Sequence, residues 1–289
     1  IQTIDSSRIT LFLERLVAER FEEKATHIAE LFGNTNNDWE ETFYQLLARN
    51  FGVKQNQEGF ELLAKSLPQR IIAKHKGNLL QVEALFFGQA NLWTNNADDY
   101  EQSLKKEYQF LQKKYGLSPI SPTWWKFARM RPSSFPTIRI AQFAKLVNSS
   151  QSLTSKILNC ANYEDLKSLL HCSTSVYWEH HYTFGTISTK HSAQIGESML
   201  EILVINAIIP FLFAYGKAHH NDELCQRAYE ILLSLPPEKN RIVNQWNACG
   251  IPTKSALETQ GLLQLFNSYC TQGNCVHCSI GHIVLNKKI

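Results

Sequence analysis

The sequence predicts an all-α protein: many short helices around one central buried helix, closed by a C-terminal cysteine cluster. Three observations predict it. Apolar residues recur at helical spacing along almost the whole chain. Polar capping residues punctuate that pattern at regular intervals. One stretch alone reads as extended, Tyr182 to Thr189. With 289 residues, 44% of them hydrophobic and 19% charged, the chain can bury a sizeable core of one large or two ordinary domains.

The elements follow in order. Ile9, Phe12, Leu13, Leu16, Val17 and Phe21 share the face of a first helix. After Gly33 and an Asn-rich turn, Asp38 is placed to cap a second helix, and Glu41 three residues on is placed to reach back to it. Trp39, Phe43, Leu46, Leu47 and Asn50 form the inward stripe, and Gly52 ends it. A third helix spans about Glu58 to Ser66, and Pro68 starts a fourth that closes near Gly77. Leu79, Val82, Phe86 and Ala90 mark a fifth. Asp98 and Glu101 repeat the capping pattern ahead of a sixth, which buries Tyr100, Leu104, Tyr108, Leu111 and Tyr115.

The segment Gly116 to Pro122 holds two prolines and a glycine. It is the best candidate boundary, dividing an N-terminal helical region, 1–118, from a C-terminal one, 119–289; a loop within one continuous domain is the alternative. Beyond it, Pro136 suits the first position of a helix carrying Ile140, Phe143, Ala144 and Val147, and Asn148 to Ser155 reads as a loop. The longest apolar stretch, Met199 to Tyr215, is interrupted by Glu201, Asn206 and Pro210, which favours a buried helix over a membrane span. Asn221 or Asp222 caps a helix ending before Pro236-Pro237, and Glu238 to Ala248 and Thr253 to Cys270 read as two more.

Charge and cysteine usage bound the function. A net charge of +3 does not by itself predict nucleic-acid binding, so any such activity needs a local patch. Seven cysteines, an odd number and mostly scattered, argue against a disulfide framework and place the chain in a reducing cytoplasm, with no membrane association. The start at Ile1 rather than Met leads us to expect further sequence ahead of it.

The sharpest chemical signal is Cys270, Cys275 and Cys278. Cys275-x-x-Cys278 has the spacing of a metal knuckle, and Cys270 enters from the preceding helix. Zinc wants four tetrahedral ligands. Cys249 is the first candidate for the fourth, His282 the second and His277 the third. An iron–sulfur cluster is the alternative cofactor, and three reduced thiols acting as small hydrophobes with no cofactor the bland one.

The second signal is the run Trp124 to Arg139, in which Arg129, Arg131 and Arg139 frame a proline turn beside Trp124, Trp125 and Phe135, with Lys126 adding charge. Arginine forks bind phosphate or carboxylate at two points, and aromatic rings stack bases, so the run is a candidate anion or nucleic-acid site. The competing reading buries these arginines against carboxylates. Glu83, on the apolar face of its helix, needs a partner, and an arginine of the proline turn is the expected one. Glu179, His180 and His181 gather in a third place, but adjacent histidines diverge and aromatic packing with polar tips explains them as well. The chain carries no recognisable catalytic motif.

Several strings are familiar: Asn37-Asp-Trp-Glu-Glu41, Leu47-Ala-Arg-Asn-Phe-Gly52, Glu83-Ala-Leu-Phe-Phe-Gly-Gln-Ala90, Arg131-Pro-Ser-Ser-Phe-Pro-Thr-Ile-Arg139, Tyr177-Trp178 with His181-Tyr182, and Tyr269-Cys270 through Cys275-x-x-Cys278. In them the chain resembles the C-terminal part of a bacterial family, common in Bacteroidota, described as a domain of unknown function. The resemblance implies a strand-rich N-terminal part with acidic and His-containing motifs, itself similar to a metal-dependent nuclease; the present chain would then lack the catalytic half. Cys249 lies outside that pattern. The helix-then-cysteines layout is also similar to the tail of endonuclease-III-like DNA glycosylases, but those tails carry a further cysteine downstream, and none follows Cys278 here.

The cysteine spacing makes a direct prediction. Protein purified without added metal should contain about one zinc per chain, or iron with a brown colour, by elemental analysis. A metal-free preparation would remove the staple.

Overall fold

The structure, a computed structural model, describes residues 6–149 and 152–286. Helix α1 (Ser6–Asn34) is followed by α2 (Trp39–Phe51), α3 (Val53–Ser66), α4 (Gln69–Ala73), α5 (Leu79–Ala90) and α6 (Asp99–Tyr115). Two 3-10 turns, Pro122–Trp124 and Pro132–Ser134, lead to α7 (Pro136–Ser149), α8 (Leu153–Asn159) and α9 (Tyr163–Leu170). A 3-10 turn at Val176–Glu179 precedes a small antiparallel hairpin, β1 (His181–Thr183) and β2 (Thr186–Ile187). Then come α10 (Glu197–Leu203), a π turn (Val204–Ile208), α11 (Ile209–Ala218), α12 (Asp222–Ser234), α13 (Arg241–Ala248), α14 (Ala256–Gln264), a second π turn (Leu265–Cys270), a 3-10 turn (Cys275–His277) and α15 (Ser279–Asn286). The fold is all-α, and the one hairpin falls where the sequence reads as extended.

Local chemistry explains most boundaries. Asp38 caps α2, its Oδ1 accepting from the Glu40 and Glu41 amides at 2.9 and 3.2 Å. Asp98 caps α6 in the same way through the Glu101 amide at 2.8 Å. Neither glutamate makes the expected return bond. Glu41 accepts from the Gln69 amide at the start of α4, and Glu101 accepts from the amide and hydroxyl of Thr94, because each carboxylate finds an unsatisfied loop donor nearer the core. The third helix begins earlier than its periodicity suggests and is kinked at Asn56. The Asn148 to Ser155 loop is shorter than expected, since α7 reaches Ser149 and α8 starts at Leu153; residues 150 and 151 lie outside the described residues. The apolar run is helical over Glu197–Ala218, long and apolar enough to cross a membrane, with 72% of its most apolar window buried. Its π turn ends just before Pro210, which has no amide to donate.

The chain divides into two compact units. The first comprises the described residues of Ile1–Glu30, Ala161–Tyr163 and Ile209–Ile289; the second comprises Leu31–Cys160 and Glu164–Ile208. The expected boundary at Gly116 to Pro122 is a loop inside the second unit. It is tied there by Gln89, whose amide nitrogen donates to the Ser118 carbonyl at 2.6 Å and whose backbone carbonyl accepts from Ile120 at 2.9 Å.

In the first unit, Phe12, Leu13 and Leu16 of α1 pack with Ile251, Leu262, Leu265, Cys278 and Ile280. Gly261 lets α14 approach the Leu13 backbone closely. Beside this core, Arg20 Nε donates to Gln260 Oε1 at 2.5 Å, and Gln264 Nε2 donates to Glu23 at 2.7 Å. In the second unit, Phe143 of α7 meets Tyr44, Phe51, Phe60 and Phe86 at ring separations of 4.9 to 6.5 Å. Phe87 stacks on Trp178 at 5.1 Å.

Helices α5 and α6 meet through Gly88, where a methyl group would fall inside the Tyr108 ring. Gly88→Ala should therefore destabilise the protein by about 1–3 kcal/mol through overpacking, read as a lower urea midpoint. An unchanged midpoint would mean that the two helices are not held at this distance.

Candidate functional site

The backbone of the Trp124–Arg131 loop is held by buried side chains. Trp125 is buried, and its Nε1 donates to the Ala90 carbonyl at 2.8 Å. Gly59 leaves room for its ring. Asn56, at the α3 kink and also buried, brackets the next residue: its Oδ1 accepts from the Lys126 amide at 2.8 Å and its Nδ2 donates to the Lys126 carbonyl at 3.0 Å. Phe127 and Phe135 meet edge to face at 5.2 Å across the loop. Arg129 takes a left-handed backbone, φ 61°, which a non-glycine residue holds only when its surroundings enforce it. Trp124, Lys126, Arg129 and Arg131 are exposed. Among the described residues none of these three cations makes an ion pair.

Arg139 behaves differently. Half-buried in α7, it donates to Gln142 Oε1 at 2.9 Å and to Ser134 Oγ at 3.5 Å, while its Nε is buried without a partner. Burial lowers its pKa to about 10. It faces inward, away from the role of an open phosphate fork that its spacing suggests.

Glu83 is 1% exposed, as its place on an apolar helix face predicts, but its partners are not the arginines. Tyr100 donates its hydroxyl to Glu83 Oε2, and Ser175 Oγ lies 3.2 Å from Oε1. The Tyr100 and Ser175 oxygens are themselves 2.9 Å apart. Burial pushes the Glu83 pKa up to about 7, against the opposing pull of Tyr100, Ser175, Trp178 and the Lys145 charge. A carboxyl that can stay neutral needs no buried cation, which is why the expected arginine pair is absent. Tyr100 stacks on Tyr177 at 4.2 Å, and Tyr177 on His181 at 3.9 Å. Tyr177 donates to Asp98 Oδ2 at 2.6 Å, and the Gly185 amide donates to the same oxygen at 3.2 Å. Burial opposes ionisation of Asp98, but these donors and the Glu101 amide outweigh it and hold the pKa below its ordinary value.

The segment from His171 to Gly196 is largely irregular and is pinned by side chains instead of by a sheet. Buried Gln142 donates to the Ala193 and Gln194 carbonyls at 3.2 and 2.9 Å, and Thr137 Oγ1 donates to the Tyr182 carbonyl at 2.5 Å. A cleft of about 390 Å³ opens along it, lined by Ser173, Thr174, Glu179, Lys190, His191 and Gln194 among others. Glu179 and Lys190 pair there at 3.3 Å. His191 stacks on Tyr182 at 3.8 Å, and its Nε2 is buried without a partner. His181 is not a lining residue; its Nδ1 contacts the Tyr177 carbonyl at 2.9 Å. The two adjacent histidines thus do not build one site with Glu179. Sequence reasoning missed Asn56, Gln142, Lys190 and the Tyr100–Ser175 pair. Glu83, a carboxylate on an apolar face, was the only available signal for the last.

The cysteines separate by environment. Cys270 and Cys275 are exposed, whereas Cys278 is 6% exposed in the apolar cluster of the first unit. Burial raises the Cys270 pKa, and the nearby Cys278 and Cys275 thiols add to the shift. Cys249 is exposed at the end of α13, and His282 is exposed on α15. Among the described residues no three His, Cys, Asp or Glu side chains form a metal-holding group.

The Glu83 geometry has a measurable pH signature. The raised folded pKa means that its stabilisation is full below the ordinary value of 4.5 and is lost as pH rises to about 7. Urea unfolding of wild type should lose about 3 kcal/mol across that window relative to Glu83→Gln, which has no proton to release. Parallel curves for the two proteins would show that Glu83 does not titrate late.

No curated protein matches the chain, and no solved structure does. One family model matches, over residues 1–241, a stretch that includes Glu83, the Arg–Pro loop and the Tyr177–Tyr182 strings but ends before Cys270. The chain therefore belongs to the family described as "Protein of unknown function (DUF2851)".

Proposed function

We propose that this chain is a helical accessory region of a larger bacterial protein and that it binds nucleic acid through the loop between Trp124 and Arg131. The observation that carries the reading is a rigid loop with uncommitted cations. Asn56 and Trp125 hold its backbone, while Lys126, Arg129 and Arg131 reach solvent without ion pairs among the described residues. A loop whose backbone is already held loses less entropy on gripping a phosphate. Trp124, 42% exposed, adds a ring on which a base can stack. Zinc at Cys270, Cys275 and Cys278 is a separate part of the same reading. It is supported by the spacing of the three thiols and opposed by the apolar seat of Cys278 and by the lack of a metal-holding group among the described residues.

A protein-interaction module is the second reading. One observation favours it: an apolar groove of about 330 Å³ in the first unit, lined by Ile9, Leu11, Phe12, Ile280 and Ile283. Leu11 is 67% exposed there.

Salt titration separates the two. Binding to DNA or RNA should weaken steeply with salt, since each neutralised phosphate releases counterions. Replacing Arg129 and Arg131 with Ala should reduce the slope of log K against log salt by about one per charge removed, without unfolding the protein. Folded protein that binds neither DNA nor RNA at low salt would leave only the second reading.

A further inference from the structure

Three oxygen–oxygen contacts close a triangle: Glu83 Oε2 with Tyr100 OH, Glu83 Oε1 with Ser175 Oγ at 3.2 Å, and Tyr100 OH with Ser175 Oγ at 2.9 Å. Each contact needs one proton. The two hydroxyls supply two, and an ionised carboxylate supplies none. With Glu83 ionised, one edge of the triangle sets two oxygens together with no hydrogen between them. With Glu83 protonated, every edge is satisfied in one direction around the ring: Glu83 donates to Ser175, Ser175 to Tyr100, and Tyr100 back to Glu83.

We propose that Glu83 is a carboxylic acid in the folded protein, and that its proton closes this ring and latches the segment carrying Ser175 onto α5 and α6. No group facing Glu83 supplies, among the described residues, the ion pair that a buried carboxylate needs. Tyr100 from α6 and Ser175 from the irregular segment are neutral donors. The Trp178 N–H faces Glu83 and favours its ionised form, but it makes no hydrogen bond of ordinary geometry among the described residues. The one cation is Lys145 of α7, which acts at a distance and forms no ion pair with Glu83 among the described residues. Burial at 1% exposure makes the neutral form the cheaper one, and the advantage of the closed ring is lost as pH rises from about 4.5 to about 7. Ser175 adjoins Thr174, a wall residue of the polar cleft. Loss of that proton leaves the Tyr100–Ser175 edge without a hydrogen and a charge buried on Glu83, so it loosens the segment beside the cleft wall.

Glu83→Gln tests this cleanly. Its amide oxygen can accept from Tyr100 and its amide nitrogen can donate to Ser175, so the ring survives with nothing to titrate. Hydrogen exchange of peptides spanning 171–180, corrected for the chemical rate, should lose protection by up to about tenfold per pH unit between about pH 4.5 and 7 in wild type and level off above that. In Glu83→Gln it should stay flat. Infrared spectra of wild type alone should show a protonated carboxylic C=O band at pH 6 that disappears by about pH 8; this measurement stands even if the variant fails to fold. The absence of that band at pH 6, or equal pH-dependent loosening in Glu83→Gln, would overturn the proposal.

Discussion

Phe143 is the ring on which the second unit depends. It touches aromatic rings from α2, α3 and α5 at once, so four helices share one apolar contact point. Aromatic side chains bury the most area per residue, and a shared ring fixes the mutual placement of all its neighbours. With Phe143 turned inward, the other faces of α7 present Thr137, Arg139, Gln142 and Lys145. Thr137 then reaches the hairpin and Gln142 the cleft segment, while Arg139 bonds Gln142 and Ser134 and the Lys145 charge acts on Glu83 from a distance.

Buried amides do in this unit what a sheet does elsewhere. Gln142 holds two carbonyls of the cleft segment, and Asn56 brackets Lys126. Gln89 receives the Tyr108 hydroxyl at 2.9 Å while donating to Ser66 and Ser118. A buried loop carbonyl left unpaired costs about 1–3 kcal/mol, so each amide both satisfies and positions the strand of chain it touches. The same economy explains the two diverted capping glutamates, and it is why the exposed arginines sit on a loop that is stiff although it carries little regular structure.

The first unit balances a different conflict. Arg20 and Lys24 lie together on α1, where burial lowers both pKa values, that of Lys24 to about 7, while the Glu238 charge pulls the other way. Gln260 joins the two sides, accepting from Arg20 and donating to Glu238. Nearby, Cys278 serves the apolar core, while Cys270 and Cys275 stay at the surface. Spacing along the chain says that three thiols are close. It says nothing about whether one of them has been spent on packing.

The sequence by itself determined the helical class, most helices though not α8, α9 or α15, both aspartate caps and the burial of Glu83. All of these are written in local periodicity and in side chains that bond their own neighbours. It also placed Arg129 and Arg131 on a proline-framed turn. Tertiary structure decided everything that joins distant positions: that Glu83 meets Tyr100 and Ser175 instead of an arginine, that Arg139 turns inward, that Cys278 is core, and that Gly116 to Pro122 is an internal loop. The physical reason is that a buried polar group takes whichever donor the packing brings within about 3 Å, and packing depends on contacts that no local pattern encodes.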